Sequence, residues 1–147
     1  MLQFAALAAF ALFFAGAWLG GPAFSFGPPY WFRPGDLWGE FNSFAFVAFA
    51  SLLFFGAGGV VALAVEGLKW GSLFSSAVLV PVNYLFIVPE LLACMAMVWL
   101  GKAVLDDLEN HASLSSAVRR PALLFAASAV VFALLVGAKV FLGKGVV

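Results

Sequence analysis

The chain has 147 residues, of which 65% are hydrophobic and 10% charged, and its seven basic residues balance its seven acidic ones. A soluble domain carries roughly 25% charged residues, so this composition excludes a water-soluble globule with a polar skin. Zero net charge also excludes the basic stripe that a nucleic-acid partner calls for, which leaves membrane lipids as the expected surroundings.

Met1 to Gly21 is a continuous apolar run without the basic n-region of a secretory signal. It reads as a first span over residues 2–20, with Trp18 near an interface. Pro22 to Gly39 contains four prolines, which block a regular helix, together with Phe24, Phe26, Tyr30, Trp31, Phe32 and Trp38. Such rings favour the headgroup zone, so 22–39 is expected to be an aromatic loop on the membrane surface. A docking surface or a lid is the sharper alternative.

The second apolar run, Phe41 to Val65, reads as one span entered through Asn42 and Ser43. Gly56, Gly58 and Gly59 in its second half, and Gly67 and Gly71 beyond it, are candidate positions where helix backbones approach closely. Gly71 to Leu105 is too long for a single span, since about 20 residues cross the hydrocarbon core. Pro81 and Pro89 bracket Asn83 and Tyr84 and offer a break. A third span over 67–86 and a fourth over 89–107 follow, with Pro89 and Glu90 suited to a helix start. The last span is 121–142, with Pro121 just inside it.

The expected fold is therefore all-α, a polytopic transmembrane bundle forming one domain over residues 1–147, with about five spans. Four is the fallback, if 71–105 is one kinked helix. In the five-span arrangement Lys69, Lys102, Arg119 and Arg120 share a face that outweighs Arg33, Lys139 and Lys144. The positive-inside rule then places the N-terminus in the cytoplasm.

Ionisable groups inside a membrane are costly and often functional. Glu66 stands three residues before Lys69, a spacing that allows a helical ion pair at an interface. Glu90 either caps a helix or sits inside the bundle at the broken helix. Glu66, Asn83, Tyr84 and Glu90 together form the candidate ion or substrate site. Asp106, Asp107, Glu109 and His111 fit no metal spacing and read as a solvated turn. With one histidine and one cysteine, Cys94, no haem pair, zinc set or disulfide is expected. No cofactor, metal or catalytic residue is assigned.

From Phe41 to Leu105 the chain resembles the stage II sporulation protein M family, small multi-span proteins of sporulating bacteria and archaea. The likeness lies in Phe41-Asn42, Phe55-Gly56-Ala57-Gly58-Gly59, the Glu66-Gly67-Leu68-Lys69-Trp70-Gly71 element, and Glu90 followed by Ala93 and Gly101. Glu66 stands where the family carries Asn, and Phe86-Ile87 replaces its His-Gly. The resemblance implies a non-enzymatic membrane component in a bundle of about five helices, partnered by other membrane subunits or by itself.

Three functions follow as expectations. The first is a scaffolding subunit of a membrane complex in the plasma membrane. The second is a small oligomeric transporter or channel with its site around Pro81–Glu90. The third is an accessory subunit of an energy-converting complex.

Overall fold

The computed structural model describes residues 1–20, 37–75, 85–110 and 114–143. They form five α-helices: α1 (Leu2–Gly20), α2 (Leu37–Leu52), α3 (Gly58–Ser75), α4 (Ile87–Asn110) and α5 (Leu114–Gly143). A four-residue 3-10 turn, Leu53–Gly56, joins α2 to α3. There is no strand among the described residues, so the fold is an all-α bundle. Four helical stretches, Leu2–Gly20, Leu37–Gly56, Ile87–Glu109 and Ala117–Phe141, are long and apolar enough to cross a membrane.

Side-chain pairings fix the helix directions. Ser43 of α2 meets Glu66 of α3, while Ser51 lies beside Gly59, so α2 and α3 form an antiparallel hairpin. Glu90 of α4 meets Lys69 and Val98 meets Gly56, so α4 also runs against α3. Ser128 of α5 donates to the Pro89 carbonyl at 2.7 Å, and Phe125 sits opposite Met97, which sets α5 antiparallel to α4. The α1 helix runs parallel to α3, with Phe10 against Gly67 and Phe14 against Gly71, and α5, antiparallel to α4, points the same way. The bundle thus alternates direction from one helix to the next, and one of its ends carries the Leu53–Gly56 turn.

The apolar run Phe41–Val65 is not one helix. Phe54 (φ 53) and Phe55 (φ 56) take the left-handed conformation and Gly56 follows at φ 94, reversing the chain. The left-handed region costs an ordinary residue roughly 1–2 kcal/mol. Two consequences of the reversal offset that cost. Gly56 comes so close to α4 that a Cβ there would stand 2.7 Å from the Val98 carbonyl oxygen, and Gly101 of α4 lies directly against Phe55 and Gly56. The ring of Phe54 stays on the outside, where lipid accepts it.

Other element bounds also differ from the expected spans. The segment placed in a third span over 67–86 is split between α3, which ends at Ser75, and residues 76–84, which lie outside the described residues. The α4 helix starts at Ile87, two residues before Pro89, and α5 starts at Leu114. Pro121 is therefore inside α5 rather than at its beginning. Most of the aromatic 22–39 segment also lies outside the described residues, and its last three residues, Leu37 to Gly39, belong to α2.

Packing is divided into two layers. Toward the turn end, Ala6, Val47, Leu63, Cys94 and Val98 form a fully apolar cluster. Farther along, Phe44 and Ala48 pack with Ala93, Phe125 and Phe132, and the Phe44 and Phe132 rings stack at 4.7 Å. The enclosed helix is α3, which buries Ala62, Leu63, Glu66, Gly67, Trp70 and Gly71. The outward faces of α1 and α5 are mostly apolar and exposed, including Phe4, Leu12, Leu19, Leu123, Leu134 and Phe141. In lipid such faces need no protein cover.

Candidate functional site

The most enclosed helix is also the one that carries Glu66 and Lys69. One helical turn separates them, and Lys69 Nζ stands 2.6 Å from Glu66 Oε2. The same ammonium reaches across to α4, 3.2 Å from Glu90 Oε1 and 3.5 Å from Oε2. It also donates to the hydroxyl of Ser43 on α2. That hydroxyl in turn donates to Glu66 Oε1 at 3.1 Å. Trp70, the residue after Lys69, donates its indole N–H to Glu90 Oε2 at 2.8 Å. Three helices therefore converge on one buried ammonium. Glu66 and Glu90 are each 1% exposed, so water does not screen them.

Local sequence explains this convergence. Glu66, Lys69 and Trp70 lie at i, i+3 and i+4, which is one face of a helix. Gly67 and Gly71 fall on another face, turned to α1, where a Cβ would meet the carbonyl oxygens of Phe10 and Phe14. Close approach of α1 at these glycines presses α3 into the bundle and its charged face toward α2 and α4. Glu90 lies in the first turn of α4, where the positive end of the helix dipole favours a carboxylate.

A second ion pair extends the network. Glu40, near the start of α2, accepts from Lys139 of α5 at 3.3 Å. The Lys139 ammonium also lies 5.3 Å from the centre of the buried Phe86 ring, within cation–π range. Glu40 feels the charges of Lys69 and Glu90 as well as that of Lys139, so the two ion pairs make one electrostatic unit. It contains three carboxylates, Glu40, Glu66 and Glu90, and two ammonium groups, Lys69 and Lys139. With every group ionised it carries one negative charge.

Of the sequence-derived site residues, Glu66 and Glu90 come together on opposite sides of Lys69, while Asn83 and Tyr84 lie outside the described residues. Lys69 is not an interfacial charge but the centre of the network, so it leaves the tally of face charges used for orientation. Sequence reasoning missed Ser43, which it read as a helix cap, and it missed Glu40, Trp70 and Lys139. Lys139 was the one visible signal, a cation interrupting an otherwise apolar span. The candidate packing glycines divide into two groups. Gly67 and Gly71 sit at the α1–α3 contact, while Gly56, Gly58 and Gly59 serve the reversal and its contacts with α2 and α4.

Compared with known proteins, the chain matches no family model, no curated protein and no solved structure. The likeness to the stage II sporulation protein M family therefore stands on its own residues.

Proposed function

We propose that the protein is a small ion transporter or channel of the cell membrane, and that the Glu66–Lys69–Glu90 network is its binding site. The chain would cross the bilayer five times, because α3 has 18 residues, about 27 Å at 1.5 Å per residue, and packs against α1, α2 and α4. The supporting observation is a charged network with a net negative charge enclosed inside a bundle whose outer faces are apolar. Ionisable groups in a membrane interior are expensive, and they mark ion and proton pathways more than they hold helices together. A purely structural role would be served as well by apolar side chains of similar volume, since replacing a buried ion pair in this way is often neutral or stabilising.

A scaffolding subunit is the second reading. It draws on the family likeness and on the exposed apolar faces of α1 and α5, which offer area to a partner helix as readily as to lipid.

The test is ion flux into liposomes reconstituted with the purified protein. Flux above that of protein-free vesicles, lowered at least tenfold by Glu90→Gln in a variant that still elutes as the folded particle, supports transport. Flux equal to that of empty vesicles moves the scaffold reading to first place.

A further inference from the structure

We propose that Glu66 and Glu90 hold one exchangeable proton between them, and that a proton is the ion this site carries. The proposal rests on the transport reading above and names its ligand.

Two observations lead to it. First, Glu66 and Glu90 share a single counter-ion, with Lys69 Nζ 2.6 Å from Glu66 Oε2 and 3.2 Å from Glu90 Oε1, and both carboxyls are 1% exposed. Two like charges held this close in a dry interior disfavour ionisation of both. Second, the charges balance. Lys69 offsets one of these carboxylates, and Lys139 offsets Glu40. One proton on the remaining carboxyl brings the unit from one negative charge to neutral, which is the state a low-dielectric interior favours. Uptake forms one O–H bond on a carboxyl of the pair and breaks one O–H bond of a hydronium ion, which leaves as water. Release reverses the step.

A metal cation fits less well, because the Lys69 ammonium already occupies the space between the two carboxylates. The groups facing the pair are Ser43 and Glu40 from α2, Lys69 and Trp70 from α3, and Lys139 from α5. The described helix α1 contributes no titratable side chain. Toward the turn end, the apolar cluster of Ala6, Val47, Leu63, Cys94 and Val98 closes the bundle. Away from it, the Lys139 side chain keeps 14% of its surface exposed.

Infrared spectroscopy of the whole protein in lipid nanodiscs at neutral pH tests this, with N-methylglucamine as the only added cation. The expected result is the C=O stretch of one protonated carboxylic acid, shifted in heavy water. The band should disappear in Glu66→Gln and in Glu90→Gln, since either variant leaves the remaining carboxylates matched one-to-one by lysines. It should persist in Glu109→Gln, which changes an exposed residue. The absence of such a band in the wild-type protein overturns the proposal whether or not the variants fold, and so does a band that both substitutions leave in place. Flux without the band refutes the proton while sparing transport. The band without flux refutes transport as the use of the site, and the proton as its cargo, leaving only a resident proton.

Discussion

Lys69 and Glu90 lie on different helices, 21 positions apart in sequence, yet their Nζ and Oε1 atoms stand 3.2 Å apart in the interior of the bundle. The same ammonium serves Glu66 and Ser43, so a single cation ties α2, α3 and α4 together.

Removing that cation leaves two carboxylates facing each other without a counter-charge. Lys69→Met should destabilise the bundle at neutral pH by about 3–5 kcal/mol, the range for breaking a buried pair from one side. The loss should shrink when Glu66→Gln is added, because one of the two unanswered charges is then gone. Thermal unfolding of the single and double variants in mild detergent reads this directly. A loss of the same size in both would mean that Lys69 does not hold the two carboxylates against each other.

The Glu40–Lys139 pair should behave as a coupled unit. Glu40→Gln and Lys139→Gln each leave one partner buried and unanswered, while the double variant leaves none. The two single effects should therefore sum to more than the double effect, by about 0.5–3 kcal/mol. A double-mutant cycle that closes additively would show that the 3.3 Å contact contributes nothing.

Glycine substitutions should divide by position. Gly67→Ala and Gly71→Ala drive a methyl group into the Phe10 and Phe14 carbonyl oxygens, and overpacking of this kind costs about 1–3 kcal/mol. Gly137→Ala meets nothing within 4 Å. Because Ala is the better helix former, by up to about 1 kcal/mol in a helix interior, this change should be neutral or stabilising. Unfolding midpoints of the three variants test the division. Equal effects at all three positions would remove the close α1–α3 contact from the account.

At the reversal the expectations invert. Gly56→Ala combines φ 94 with the Val98 carbonyl oxygen 2.7 Å away and should be destabilising. Phe54→Gly removes a side chain that points outward from a left-handed backbone and should be neutral or stabilising by up to about 2 kcal/mol. Detergent-stability curves for the pair check this, and a strongly destabilised Phe54→Gly variant would place the Phe54 ring in a contact that matters.

The sequence made some of this legible and concealed the rest for identifiable reasons. Hydropathy exposed the all-α membrane character, because lipid leaves only helices and closed barrels as spanning structures. The reversal at Leu53–Gly56 stayed hidden because its residues, Leu, Phe, Phe and Gly, contain none of the polar turn residues that mark a loop in water. In lipid such a turn stays apolar, and only the glycines at 56, 58 and 59 hinted at it. Glu66 and Glu90 stood out as carboxylates in apolar surroundings. Their shared partner did not, because the i, i+3 spacing of Glu66 and Lys69 looked self-sufficient. The approach of α4 to that pair is a tertiary fact that no local pattern carries.

The central claim is that the buried network moves ions, and proton flux tests it most directly. Liposomes containing the protein and an entrapped pH-sensitive dye are given a pH step, with valinomycin and potassium present to dissipate any membrane potential. Wild-type protein should collapse the gradient faster than protein-free vesicles, and Glu90→Gln, matched for incorporation and elution, should fall back at least tenfold toward the empty-vesicle rate. Equal rates for the wild type and Glu90→Gln would contradict the account.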